Sequence, residues 1–291
     1  MGEKFTLSVK NLCKWVGGKK QLLKEIIPAL PAGFLKNTSV RYHEPFVGGG
    51  AVLFFLLEKG RRPTYISDSN SDLINCYKQV RDNLAKVILH LRQCAQYYEP
   101  APVETFYSIR ARFNAEKTRG KGDTAIQAAR FIFLNKTDFN GLFRVNKSGE
   151  FNVGHGKFSS PPVICDEAHL GEVSKILQDV DITCRDFSES LKRMAPGDFG
   201  YIDPPYWPVS ETANFTSFTP EGFTRQDQED LAESCRVLTD QGVFLMVSNS
   251  DTPFTRRLYK GFNICKVEAR RCVNSAGKKR GSVPELLMTN Y

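Results

Sequence analysis

Apolar positions follow two rhythms along this chain. In KKQLLKEIIPAL (19–30), Leu22, Leu23, Ile26 and Ile27 fall on one face and predict a short helix. VRYHEP (40–45) reads as a strand ending near Glu44, followed by a glycine turn at 48–50 and a helix from about 51 to 58. PTYISD (63–68) predicts a second strand that ends on a carboxylate. Residues 71–94 predict a helix whose buried face is Leu73, Ile74, Tyr77, Val80, Leu84, Val87, Ile88 and Leu91. Strand, glycine turn, helix, strand and Asp are the opening of a nucleotide-binding βαβ unit.

Between 96 and 162 the pattern changes. Residues 96–130 read as polar helix with a GKG break at 120–122. TDFNGLFRVNKSGEFNVGHGKFSSPP (137–162) has no long apolar run and reads as loops with a small hairpin. Strand patterns return at 180–187 and in FGYIDPPY (199–206). A helix over 226–238, a buried strand at 243–249 and closing strands at 262–271 and 284–291 complete the chain. The expected fold is α/β, with a Rossmann-like core formed by 1–95 and 163–291 and a mostly parallel sheet. Residues 96–162 form an inserted helical and loop domain.

Charge sharpens that division. The 291 residues include 40 Lys and Arg against 32 Asp and Glu, a net +8. Residues 110–160 hold ten basic and four acidic residues and so carry +6 of it. A basic, loop-rich insert on an α/β core suits a polyanion such as nucleic acid, although a solvated helical lid gives the same count. The basic segment 270–281 could add phosphate contacts through residues 278–280. No apolar stretch approaches a membrane span, and MGEKFTLSVK does not read as a signal peptide, so a cytoplasmic location with no membrane partner is expected. Eight scattered Cys, no CxxC and four His point to reduced thiols and to no metal site.

Three motifs carry candidate chemistry. In Phe46-Val47-Gly48-Gly49-Gly50 the glycines let backbone approach a ligand at a helix start, or simply make a tight turn. No Lys-Ser or Lys-Thr follows them, and Leu53 stands where the dinucleotide loop has its third glycine. Asp68, 18 residues beyond Gly50, suits the two hydroxyls of a ribose, or caps the next helix, a task that Ser71 or Asp72 could also do. Asp203-Pro204-Pro205-Tyr206 is the most specific. Two prolines lock a turn at a strand end, where the Asp203 carboxylate and the Pro204 carbonyl can both accept from one NH₂ group, beside the flat ring of Tyr206.

With Trp15-Val16-Gly17-Gly18-Lys19, Glu44-Pro45, Ser248-Asn249, FNGLFRVNKSGEFNV (139–153) and ETANFTSFT (211–219), these motifs resemble the Dam-type DNA adenine-N6 methyltransferases, the D12 class, over almost the whole chain. The order of glycine loop, insert and DPPY is that of the α group. The resemblance implies a Rossmann-like methyltransferase core with an inserted target-recognition domain. It implies transfer from S-adenosylmethionine to N6 of an adenine flipped out of duplex DNA, leaving S-adenosylhomocysteine and needing no metal. By motif position, Trp15, Lys19, Phe46, Gly48, Gly50, Asp68, Phe187 and Asp203 would bind the cofactor. Asp203, Pro204, Pro205 and Tyr206 would be catalytic. Lys14, Phe139, Asn140, Leu142, Arg144 and Lys157 would contact DNA, with Arg144 donating to a guanine.

This set resembles readers of GATC. The family's FNVP is here Phe151-Asn152-Val153-Gly154, and glycine is expected to loosen that loop, so a different or relaxed motif is the alternative specificity. Methylation of RNA or single-stranded DNA, a cytosine-N4 target and a DNA-binding module without activity are the competing classes. The insert favours duplex reading. A monomer in solution is expected, and a paired restriction endonuclease is compatible with the sequence.

Overall fold

The computed structural model describes residues 9–122, 124–209, 222–270 and 282–291. The 211–219 motif segment and basic residues 278–280 lie outside the described residues.

A 3-10 turn, Lys19–Leu22, leads into α1 (Leu23–Ile26). Then follow β1 (Tyr42–Glu44), α2 (Ala51–Glu58), β2 (Thr64–Asp68), α3 (Ser71–Asp82), α4 (Leu84–Tyr98), α5 (Pro102–Thr118) and α6 (Ala125–Thr137). The remainder is α7 (Glu167–Ile176), β3 (Val180–Cys184), α8 (Phe187–Leu191), β4 (Phe199–Ile202), α9 (Arg225–Asp240), β5 (Phe244–Ser250), α10 (Pro253–Leu258), β6 (Asn263–Arg270) and β7 (Ser282–Thr289). The helix expected over 71–94 is two helices. Asn83, at φ −133°, leaves helical geometry between them. Helices α7, α8 and α10 were not expected from periodicity.

The seven strands run in the order β3-β2-β1-β4-β5-β7-β6. The first five are parallel, and β7 lies antiparallel between β5 and β6. Side chains on successive strand residues face opposite ways. Tyr201, Met246 and Leu287 therefore join one buried cluster, with α1 through α7, while Ile202, Leu245, Val247, Leu286 and Met288 join the other, with α8 and α9. The strands read as continuous apolar runs because both faces are covered. Residues Ala51–Leu57 of α2 are all buried, so that helix has no polar stripe to show.

Chain order reverses between β1 and β4, which are neighbours in the sheet but far apart in sequence. Loops leaving the carboxyl ends of two such strands splay apart and open a crevice. The glycine loop leaves β1 and the Asp-Pro-Pro-Tyr turn leaves β4, so the two strongest motifs meet there. Helices α4, α5 and α6 pack on one another and on α3 within the first cluster.

Candidate active site

The glycine loop is shaped by Trp15. A Cβ on Gly48 would lie 2.8 Å from Trp15 Cδ1, and one on Gly49 2.9 Å from Trp15 Cβ. Gly48 and Gly50 have φ of +46° and +70°, which also favours glycine. The Tyr77 hydroxyl donates to the Gly48 carbonyl at 3.0 Å and would meet a Gly50 Cβ at 2.7 Å. Backbone thus passes where no side chain fits, at the start of α2.

Asp68 sits at the end of β2 beside this loop. Its carboxylate accepts from the Gly48 amide at 3.1 Å and from the Asn70 amide at 2.9 Å. It is not the cap of α3; Asn70 does that work, accepting from the Leu73 amide. Burial pushes the Asp68 carboxyl up to about 6, against the pull of the Asn70 and Gly48 amides. Phe46 stacks on Phe187 at 5.7 Å, and Phe223 meets both rings, at 5.8 and 5.6 Å. A carboxylate for a ribose, an aromatic wall for a purine and bare backbone between them fit an adenosyl cofactor. Phe46, Gly48, Gly50, Asp68 and Phe187 would line it, with Trp15 behind the glycines.

Three side chains brace the Asp-Pro-Pro-Tyr turn. Gln228 of α9 donates to the Pro205 carbonyl at 2.7 Å and accepts from Asn249 at 3.0 Å. Asn249 Oδ1 accepts from the Trp207 amide at 3.0 Å, and Ser250 donates to the Trp207 carbonyl at 2.6 Å. Lys19, only 6% exposed, places its ammonium 2.8 Å from Asp203 Oδ1 and 4.6 Å from the centre of the Tyr206 ring. No described donor makes an aligned hydrogen bond to that oxygen. Burial pushes the Asp203 carboxyl up to about 6, opposed by the Lys19 charge. The Tyr206 hydroxyl donates to Glu285 Oε2 at 2.7 Å. At the foot of the crevice Glu44 is buried, accepts from the Tyr42 hydroxyl at 2.7 Å, and is pushed by burial up to about 8.

A second group of residues adjoins this one. Asn135 of α6 accepts from the Lys14 amide at 2.8 Å and donates to the carbonyls of Lys14 and Gly141 at 2.9 and 3.3 Å. Lys14 is thereby fixed beside the turn that carries Phe139, Asn140 and Leu142. Phe139 and Asn140 are exposed, the latter at φ +63°, and Leu142 is half-buried. Trp15 stacks on Phe143 at 5.6 Å, so the glycine loop and this turn share a wall. Exposed Arg144 donates through Nε to Asn152 at 2.8 Å, across a hairpin closed by the Val145–Phe151 bridge. Lys157 is exposed on the following loop.

Gly154 does not leave that loop slack. Its carbonyl accepts from the Phe139 amide at 3.0 Å, Arg110 of α5 donates to the Val153 carbonyl at 2.9 Å, and the Gly156 amide reaches the Thr137 carbonyl at 2.9 Å. The His155 ring is gripped by the Tyr98 hydroxyl at 2.7 Å and by the rings of Phe106 and Phe158.

The motifs pointed to most of this set. Missed were Asn135, Phe223, Gln228 and Glu285, which act on the loops from distant positions in the chain. Glu285 alone left a trace, as the one charged residue of the closing strand. Among the described residues no cluster of His, Cys, Asp or Glu is arranged to hold a metal ion, the seven cysteines are free thiols, and no helix is long and apolar enough to cross a membrane.

The antiparallel β7 between β5 and β6 departs from the 3-2-1-4-5-6 order of a dinucleotide-binding sheet, while both loops sit at the switch point of a Rossmann-like core. Comparison with known proteins narrows this. The family model described as D12 class N6 adenine-specific DNA methyltransferase matches residues 15–273. The chain is 43% identical over 292 residues to the type II methyltransferase M.MjaIII of Methanocaldococcus jannaschii, covering 98% of this chain and all of that one. It is 37% identical to the type II methyltransferase M1.LlaDCHI of Lactococcus lactis, covering 99% and 98% of the two chains. It is 34% identical to the DNA adenine methylase of Escherichia coli K12, covering 94% and 92%. The chain therefore belongs to the D12 class of N6 adenine-specific DNA methyltransferases, an S-adenosylmethionine-dependent family, and is a site-specific enzyme of that kind.

Proposed function

We propose that the protein methylates N6 of an adenine flipped out of duplex DNA, within GATC, through the residues gathered at the β1–β4 crevice. S-adenosylmethionine supplies a methyl group made electrophilic by its sulfonium. Asp68 would hold the ribose, Phe46 and Phe187 the purine, and the 48–50 backbone, with Trp15 and Lys19, the amino-acid side. Asp203 and the Pro204 carbonyl would accept hydrogen bonds from the adenine amino group and so aim its nitrogen and raise its lone-pair character, and the proton that N6 sheds on gaining the methyl would pass to solvent. Pro205 keeps the turn rigid, and the Tyr206 ring stacks on the base. Such catalysis is positioning and electrostatics, and no step is assigned to a metal.

The observation that carries this reading is the place of the Lys19 ammonium. A cation rests on Asp203 and over the Tyr206 ring, at the point where an amino group on a stacked base would be held. Lys19 must give way as the base enters.

Residues 96–162 form the target-recognition part in this reading. Arg144 keeps its terminal nitrogens for guanine O6 and N7 while Asn152 holds Nε. Lys14, Phe139 and Leu142 act beside the flipped base, and Asn140 and Lys157 take phosphates or base edges. The backbone bonds that fix Gly154 support the GATC reading. The bare glycine surface itself favours the second reading, a different or relaxed DNA motif. We place the enzyme in the cytoplasm as a monomer. Two relatives named as type II methyltransferases support a companion restriction endonuclease.

Asp203→Ala tests the assignment. It is expected to fold, judged by a cooperative melting transition, and to transfer no methyl group. A folded variant with near-wild-type rate would overturn the mechanism.

A further inference from the structure

Because β7 runs antiparallel to β5, its beginning lies at the edge of the sheet from which the active-site loops emerge. Glu285 is the register partner of Ser250, the last residue of β5. The residues after it, Leu286, Leu287 and Met288, are buried apolar side chains. Glu285 is thus a carboxylate directly before the buried run of β7, and its Oε2 receives the Tyr206 hydroxyl at 2.7 Å. A hydrogen bond to a charged acceptor at this length is among the stronger kinds.

The backbone of the turn is already braced by Gln228, Asn249 and Ser250. Those bonds fix where Tyr206 starts, not how its ring is tilted. A phenol ring turns about two torsions, and a bond at the far hydroxyl removes that freedom. One face of the ring meets the Lys19 ammonium that also contacts Asp203. Without Glu285 the half-buried hydroxyl would lose this acceptor, and the ring would be free to tilt.

We propose that Glu285 is a positioning residue for methyl transfer: it sets the tilt of the Tyr206 ring against the flipped adenine. This rests on the function proposed above for the same site.

The experiment compares wild type, Glu285→Leu, Glu285→Gln, Tyr206→Phe and the Glu285→Leu/Tyr206→Phe double variant on a duplex with one target adenine. It measures kcat, the KM for DNA and for S-adenosylmethionine, and the emission of 2-aminopurine placed at the target position. Glu285→Leu and Tyr206→Phe are each expected to lower kcat by roughly 10- to 100-fold, as loss of one part-buried hydrogen bond to a carboxylate does. Both KM values should change little. The flipped 2-aminopurine should emit more brightly, because a freely tilting ring stacks on it less well. Gln keeps an acceptor oxygen and should restore kcat to within about threefold of wild type. The double variant should be no slower than the slower single one, since both remove the same bond.

Losses that multiply in the double variant, or a folded Glu285→Leu with wild-type kcat and emission, would overturn the proposal. If Glu285→Leu does not fold, Tyr206→Phe decides, because it keeps the ring and the carboxylate. Wild-type kcat and emission in Tyr206→Phe would overturn the proposal equally. Absence of transfer to duplex adenine by the wild-type protein would instead refute the proposed function, and this inference with it.

Discussion

Replacing Lys19 by Met should move the acid limb of the rate profile upward. Asp203 has a carboxyl raised from its ordinary 3.8 to about 6, by burial first and against the opposing Lys19 charge. The proposed mechanism needs the ionised form as acceptor, so wild-type kcat/KM for DNA, which reports the free enzyme, should fall as the pH drops through about 6. Loss of a cation 2.8 Å away removes the opposing influence. Opposite charges at contact move a carboxyl by about 1–3 on the pH scale, which puts the variant's midpoint between about 7 and about 9. At pH 7 the ionised fraction then drops from about nine-tenths to between about one-half and one-hundredth. Values of kcat/KM for DNA from pH 5 to 9.5, with saturating cofactor, would show the displaced limb and a largely recovered rate at high pH. The stability sign is opposite. Between about 4 and 6 the native state binds the proton that the unfolded chain releases, so this group makes folding less stable as pH rises there, while activity increases. A Met variant whose rate is reduced by the same factor at every pH would refute the reasoning and assign Lys19 to binding alone.

Three further outcomes are expected. Arg144→Ala should relax recognition at one guanine at a cost of about 1–3 kcal/mol, seen by comparing kcat/KM on duplexes altered at one base pair; equal loss on every sequence would mark a phosphate contact instead. Glu44→Gln should stabilise the protein increasingly as pH rises. Burial pushes the Glu44 carboxyl up to about 8, so the wild-type native state keeps a proton that the unfolded state loses above its ordinary 4.5, and native stability drains away across that window. The melting difference between the two proteins should widen from pH 5 to pH 9, and a constant difference would contradict the burial argument. Asn135→Ala removes the clamp on Lys14 and Gly141 and should cost about 1–3 kcal/mol, or very roughly 2–12 °C in melting temperature; weaker DNA binding with unchanged cofactor affinity should accompany it.

How much of this was visible in the chain depended on whether the signal was local. The strand-loop-helix from Tyr42 to Glu58 and the strand into Asp203 could be read directly, because glycine and proline mark their turns and the apolar runs have one outcome. The break at Asn83 was hidden, since apolar spacing continues in phase from α3 into α4. Helix α7 buries only Leu170 and Val173, and α8 and α10 are short, so periodicity had too little length to register. The site divided in the same way. Gly48, Asp68, Asp203 and Tyr206 sit in compact motifs, and family likeness supplied Lys14, Lys19 and Arg144. Phe223 completes an aromatic group with Phe46 and Phe187, residues far from it in sequence, and Gln228 holds a turn 23 residues earlier in the chain. Such pairs are made by the sheet order, which no local pattern records. Gly154 taught the converse. Glycine suggested slack, but the neighbouring backbone bonds to Phe139, Thr137 and Arg110 hold the loop.

The central claim is most directly tested by mapping modified bases at single-base resolution after the purified protein acts on unmethylated genomic duplex DNA with S-adenosylmethionine. The account predicts N6-methyladenine, confined to GATC. Modified adenine in another motif would keep the chemistry and shift the specificity to the 139–158 loops. Duplex DNA without any N6-methyladenine would contradict the account.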